Sequence, residues 1–333
     1  MRRRALFFAV SFIVCCLLSS CVKTASYESP IRETGQEAAQ KNTQHYVAIY
    51  SMSSYDYFTD HIIGFLKAGE DLQVNAEEIG PDENDIEAMK ECFMYAIAKN
   101  VNGIVVFGAN PELKELIDMA SEAGIPVVTV DGDVKDSKRI AFVGSSNSNV
   151  GILGGKLIAE ELQYSGEVGI LTELDVDLHQ ERAQGYEKAI EQYPQMQVVA
   201  KLDTYNKPES AYASALKMIQ EHPGLRGIVC TDYFGGAAAA LAVENTGNQG
   251  KIKIIAMDKS GIVLKKIDEG VISASLVQQT ALMSYYALQI LYDYNNPPVQ
   301  IVGDNKEAKI SGVPVYVDTG IFVIDKSNCK EFF

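Results

Sequence analysis

The chain has 333 residues and a formal net charge of −15. That length accommodates about two domains of ordinary size, and so acidic a balance repels nucleic acid and anionic lipid, leaving neutral or cationic partners. Its cysteines form no C-x-x-C pair, which excludes the common zinc-ribbon and dithiol redox classes.

Arg2-Arg3-Arg4 precede a short apolar run, Ala5 to Leu18, and Ser19 and Ser20 lead to Cys21. A positive region, an apolar core and small residues before a cleavage point are the three parts of an export signal, and the run is shorter than the ~20 residues that span a bilayer. Leu18-Ser19-Ser20-Cys21 resembles the lipobox of bacterial lipoproteins. The resemblance implies that Cys21 becomes a diacylated, palmitate-type first residue and that lipid alone holds the body to a membrane. Loss of three arginines with the signal takes the charge to −18. Cys15 and Cys16 leave too, so Cys92, Cys230 and Cys329 remain as an odd set, and neither a disulfide framework nor a metal site is expected. Residues 22–43 are polar and aperiodic, as in a flexible tether.

Folding starts at about His45. The strand-like run Tyr46 to Tyr50 precedes an amphipathic helix from Asp56 to Leu72. Strand Gly103 to Phe107 precedes helix Pro111 to Ala123, and strand Ile125 to Val130 follows. After Phe142-Val143-Gly144 the pattern restarts with helix Val150 to Leu162, strand Val168 to Leu171, helix Gln180 to Gln192, strand Val198 to Leu202 and helix Pro208 to Glu221. Strand Gly227 to Cys230, helix Gly235 to Asn245, strand Ile252 to Ala256 and helix Ile262 to Glu269 complete it. Alternating strands and helices force parallel sheets with helices on both faces, here two in tandem. Neither half carries a G-x-G-x-x-G or Walker loop, so no nucleotide cofactor is expected.

Open parallel sheets bind ligands beyond the carboxyl ends of their strands. The strand exits carry Ser51, Ser53, Tyr55, Asp56, Tyr57 and Phe58, then Asp131 and Asp133, then Glu173 with Arg182 on the next helix. Tyr205, Thr231-Asp232-Tyr233, Asp258 and Gln278-Gln279 follow. Aromatic faces beside many hydrogen-bonding carboxylates and amides suit a sugar or polyol, whose C–H faces stack and whose hydroxyls need partners.

Ala123-Gly124-Ile125-Pro126-Val127-Val128-Thr129-Val130-Asp131, Phe142-Val143-Gly144-Ser145, Glu181-Arg182-x-x-Gly185-Tyr186, His222-Pro223-x-Leu225 and Met257-Asp258 occur in this order. With them the chain resembles the type I periplasmic substrate-binding proteins, specifically the ribose/galactose-binding family of ABC sugar transporters, over His45 to Lys326. The resemblance implies an α/β fold of two doubly wound parallel-sheet lobes joined by a multi-strand hinge. Residues 45–145 plus 279–301 form one lobe and 146–278 plus 302–330 the other, behind a signal at 1–20 and a tether at 21–44. The chain would cross near Ser145, Val277 and Ile301, and Pro314 to Gly320 looks like the last strand returning to the second lobe. Carried over residue by residue, the aromatic contacts fall on Tyr57, Phe58 and Tyr205, the arginine on Arg182, the carboxylates on Asp131 and Asp258, with Asp232 beside them, and the closing amide on Gln278. This chain departs from the family in having Gly132 where an arginine follows the first aspartate, Thr231 where an asparagine precedes Asp232, and Tyr55-Asp56 where Asn-Pro precedes the aromatic pair.

Those departures leave Asp56, Asp131, Asp133, Asp232 and Asp258 around one main cation, so a neutral sugar or polyol is favoured over an anion. An amine-bearing ligand or a nucleoside comes after it. Plainer roles also exist: Tyr57 and Phe58 as core, Asp131, Arg182 and Asp258 as a structural ion-pair set, Asp56 and Asp133 as caps. Glu173-x-Asp175-x-Asp177 resembles a calcium loop without its glycine, and His45, His61, His179 and His222 read as surface or helix-end residues. The expected protein is an extracytoplasmic, lipid-anchored, monomeric receptor, not an enzyme. It closes on a monosaccharide and delivers it to an ABC permease, or alternatively signals to a sensor histidine kinase or chemoreceptor. Arg182→Ala and Asp258→Ala are expected to abolish binding and leave apo stability unchanged.

Overall fold

The computed structural model describes residues 44–333 except 84, 306 and 309. The expected export signal, the expected lipid-accepting Cys21 and the expected tether up to residue 43 lie outside the described residues. The chain builds β1 (His45–Ile49), α1 (Asp56–Leu72), β2 (Asn75–Ile79), α2 (Ile86–Ala98), β3 (Gly103–Phe107), α3 (Lys114–Glu122), β4 (Val127–Val130) and β5 (Ala141–Gly144). It then crosses into α4 (Asn147–Glu161), β6 (Gly166–Thr172), α5 (Asp177–Ile190), β7 (Met196–Asp203), α6 (Pro208–Glu221), β8 (Leu225–Cys230), α7 (Gly235–Asn245), β9 (Lys253–Met257), α8 (Gly261–Asp268) and β10 (Ala274–Gln278). It ends with α9 (Thr280–Asn295), β11 (Tyr316–Asp318) and β12 (Ile321–Asp325).

Two sheets result, in the orders β11-β5-β4-β3-β1-β2 and β12-β10-β9-β8-β6-β7. Every pairing is parallel except β10 with the edge strand β12. Side chains alternate across each strand. In β1, Tyr46 and Ala48 enter a core with Phe65 and Leu288 from α1 and α9, and Val47 and Ile49 enter another with Phe93 and Ile117 from α2 and α3. The α1 stripe of Phe58, His61, Phe65 and Ala68 is wholly buried, and each large apolar side chain in it contributes about 1.5–3 kcal/mol. No side chain caps the start of α1, but Asp56 lies in its first turn, where the free N–H groups favour negative charge.

The element between α1 and α2 has no apolar run to announce it. β2 reads Asn-Ala-Glu-Glu-Ile and is a partly exposed sheet edge. At the C-terminus the structure differs from the expectation. Tyr316–Asp318 pairs parallel with β5 in the first sheet, so the third crossing lies at Thr319-Gly320 and not near Ile301. The strand that joins the second sheet is β12, antiparallel to β10. Hydrogen bonds hold the three crossings together: Ser145 Oγ donates to the Gly320 carbonyl at 3.0 Å, Thr319 N donates to the Gly144 carbonyl at 2.9 Å, and Gln279 Nε2 donates to the Thr319 carbonyl.

Packing of α4 on α5 fixes the most important side chain of the cleft. A Cβ added to Gly151 would overlap the Arg182 carbonyl oxygen, and one added to Gly185 would meet the Ser148 carbonyl. This close approach lets Arg182 reach Asn147 on the facing helix. Gly151→Ala is therefore expected to push α5 outward, costing at least the ~1–3 kcal/mol of an overpacked core and misplacing Arg182. Denaturant unfolding and ligand titration of the variant should show both losses together.

Candidate functional site

The carboxyl ends of both sheets face a cleft of about 370 Å³. Its rims are in contact: Lys259 pairs with Asp60 at 2.9 Å and Lys135 with Glu181 at 3.0 Å. Tyr55 meets Phe234 edge-on with ring centroids 6.4 Å apart, as Tyr57 meets Tyr233. The lobes are thus drawn together around the space.

Gln278, at the end of β10, joins the two walls. Its Nε2 donates to Asp131 Oδ1 at 3.1 Å, and its Oε1 accepts from Arg182 Nη2 at 2.8 Å and lies 3.5 Å from the Tyr57 hydroxyl. The Tyr57 hydroxyl donates to Asp131 Oδ2 at 2.5 Å. Arg182 also donates within its own lobe, Nε to Asn147 Oδ1 and Nη1 to the Thr231 carbonyl, both at 2.8 Å. Asp131 (φ 62°) and Asp258 (φ 65°) follow β4 and β9 in the left-handed region, which aspartate tolerates better than most residues. The two sheets thereby present equivalent carboxylates at equivalent exits.

The carboxylates differ in what holds them. Asp232 accepts from Thr204 Oγ1 at 2.7 Å and from the backbone N–H groups of Phe234 and Gly235 at 2.9 and 2.8 Å. Asp258 is buried, and among the described residues no group donates a hydrogen bond to its carboxylate. Burial pushes its pKa up to about 7; Arg182 opposes the shift, and the charges of Asp131 and Asp232 add to it. Such a carboxylate has open acceptor positions for a donor that enters the cleft.

The cleft collects Tyr57, Phe58, Asp131, Arg182, Asp232 and Asp258 on its wall, with Gln278 bridging behind them. Phe58 is also core, 1% exposed and edge-on to Phe107. Tyr205 is not brought in: it is 64% exposed with φ 53°, and its neighbour Asn206 lines the cleft instead. Asp133 is not a cleft carboxylate either. Arg139 grips both its oxygens and Thr129 Oγ1 donates to it at 2.9 Å. His61 and His179 are neither surface nor idle helix-end residues. His61 lies on the buried stripe of α1 with Nδ1 2.7 Å from Ser284 Oγ, and its place three residues after Phe58 was the sign of it. His179 lines the cleft three residues before Arg182, on the same helix face, with Nδ1 2.9 Å from the Thr231 carbonyl. Glu173 joins the wall, its pKa pushed up to about 7 by burial and by Asp232, Asp203 and Asp175. Gly132 has no room for a side chain, since a Cβ would strike the Ala109 backbone.

A family model described as "Periplasmic binding protein domain" matches residues 45–296. The chain belongs to that family. Among solved structures, a sugar ABC transporter (sugar-binding protein) from Bacillus halodurans is 32% identical with a TM-score of 0.81, covering 87% of this chain and 100% of that one. AraP, an arabinose binding protein from Geobacillus stearothermophilus, is 31% identical with a TM-score of 0.80, covering 87% and 99%. Among curated proteins, the D-ribose/D-allose-binding protein of Pseudomonas aeruginosa is 26% identical over 216 residues, 62% of this chain and 67% of that protein. The two-lobed α/β architecture expected from the sequence is that of these periplasmic binding proteins.

Titration of the cleft gives this periplasmic binding protein a pH signature. Asp258 and Glu173 have folded-state pKa values of about 7, above their unfolded values, so the folded form gains protons, and stability, as pH falls through 7. Burial holds His61 at about 4 and His179 at about 3, below the unfolded value, so their contribution is present above about 6.5 and lost as pH falls below it. The expected apo melting temperature rises from pH 8 to about 6.5 and then levels. Affinity for a ligand that donates to Asp258 should move the other way, weakening by up to tenfold per pH unit below about 7. Melting scans and titrations at pH 5, 6, 7 and 8 test both trends.

Proposed function

We propose that this protein is an extracytoplasmic, lipid-anchored receptor that closes on a neutral monosaccharide or polyol and presents it to an ABC import permease. The observation that carries the reading is the bridged set Tyr57–Asp131–Gln278–Arg182, in which both lobes and the hinge converge on one small cleft beside an open carboxylate, Asp258. Hydroxyl groups of a sugar both donate to and accept from such a set, and the rings of Tyr57, Phe58 and Phe234 supply apolar faces. An anionic ligand would meet Asp131, Asp232 and Asp258 with Arg182 as their near counter-charge. The relatives named for ribose, allose and arabinose binding support the same class. Lipid attachment at Cys21 rests on the sequence pattern alone.

Ligand contacts from both lobes form together only in the closed arrangement, so ligand stabilises closure and the closed form is what a membrane partner reads. The test is a thermal-shift screen of residues 22–333 against pentoses, hexoses, polyols, nucleosides and amino sugars, with hits confirmed by calorimetry. A ligand at 100 times its Kd adds about 2.7 kcal/mol of stability. A monosaccharide or polyol hit, recovered without turnover, supports the reading; silence from every carbohydrate in the panel defeats it. Cys21→Ala in the full-length protein should release it from membranes at unchanged affinity, and continued membrane attachment would refute the lipid anchor.

A further inference from the structure

The carboxylates, Arg182 and Gln278 occupy only part of the cleft. Toward α2 the same cavity is lined on the first lobe by Ile86, Met89, Phe107 and Pro111, and on the second by Val176 and Leu178 at the start of α5, with Asp175 beside them. Asn110, from the same loop, spends its side-chain oxygen on the Glu112 N–H at 2.8 Å. The cleft volume of about 370 Å³ lies within the range of small-molecule sites, which are lined mostly by apolar side chains with a few placed polar groups. A lone monosaccharide held by the polar groups would leave apolar wall facing water.

The start of α5 places an apolar residue where capping chemistry prefers a polar one. Val176 is the N-cap residue of α5, with extended backbone and no side-chain cap hydrogen bond. Ser, Thr, Asp or Asn is strongly preferred there, because a side-chain oxygen satisfies an N–H group of the first turn, and valine is among the poorest choices. Val176 and Leu178 belong to none of the hydrophobic cores formed by the described residues. Their apolar surface faces the cleft, and departures of this kind from local rules concentrate at functional sites.

We propose that the ligand is a glycoside: a sugar held by the polar groups whose apolar substituent fills the space between Ile86 and Met89 on one lobe and Val176 and Leu178 on the other. This rests on the carbohydrate reading and narrows it. The substituent also bridges the lobes, so it strengthens closure as well as contact.

The probes are phenyl glycosides of glucose, galactose, xylose, arabinose and ribose in both anomers, each titrated beside its parent sugar. At least one phenyl glycoside should bind tenfold or more tightly than its parent. Leu178→Asn should bring that ratio close to one. Val176→Ser should do the same and also raise the apo melting temperature, because serine caps α5; a valine kept for stability alone would give a lower melting temperature and an unchanged ratio. If parent sugars bind as tightly as their phenyl glycosides, the inference fails and the carbohydrate reading stands. If neither series binds, the carbohydrate reading itself has failed.

Discussion

Arg182→Ala is expected to lose ligand binding altogether and to lower the apo stability by about 2–4 kcal/mol, as cutting one partner from a buried charged network does. From the sequence this substitution was expected to spare the apo protein. The structure changes that, because Arg182 is buried and three of its five N–H donors satisfy Asn147, the Thr231 carbonyl and Gln278. Removing it strips those acceptors of their partner and takes the near counter-charge from Asp131, Asp232 and Asp258. Arg182→Lys separates the effects: it keeps a charge but not the planar three-way donation, so it should recover part of the stability and little of the affinity. Urea unfolding of the apo proteins, read beside calorimetric titration, provides the check. An apo protein as stable as wild type after Arg182→Ala would mean that the network is dispensable.

Asp258→Asn should give the opposite pairing, a more stable apo protein that binds ligand at least a hundredfold more weakly. The wild-type carboxylate is buried and receives no hydrogen bond among the described residues, with a pKa pushed up to about 7. At pH 8 it is ionised at the expense of folding stability, and a neutral amide of the same shape removes that strain, worth about 1–3 kcal/mol. Near pH 5, where the folded wild-type group is already protonated, the stability gain should shrink, and it should vanish only below the unfolded value of about 3.8. Ligand hydroxyls that donate to the charged carboxylate lose charge-assisted bonds of about 1.5–3 kcal/mol each. Melting curves of both proteins at pH 5 and 8 test the first half, and titration at pH 8 the second.

The expected residues that the fold brings to the cleft and those that it leaves out divide along a physical line. Asp131, Arg182, Asp258 and Gln278 were legible because a parallel sheet places whatever follows its strands at one edge. Tyr205 satisfied the same rule yet stays exposed, since a strand exit gives a residue's position along the chain but not its side chain's direction. Asp133 could be read from the sequence as a cleft carboxylate or as a cap, and the structure pairs it instead with Arg139, six residues on. His179 went unread because a lone histidine carries no spacing signal. Only the approach of α5 to β8 brings it to the Thr231 carbonyl and the cleft.

By itself the sequence determined the alternation of strands and helices, hence two parallel sheets, because hydrophobic periodicity dictates which local structure can bury its apolar face. It also determined the acidic character of the chain. Tertiary structure alone decided that Tyr316–Asp318 joins the first sheet, that Gly151 and Gly185 let Arg182 reach across to Asn147, and that one amide, Gln278, ties Asp131 to Arg182. Those contacts join residues up to 174 positions apart, as in the pairing of Phe142 with Tyr316. Local preference carries no information about them, and the packing of whole lobes sets them.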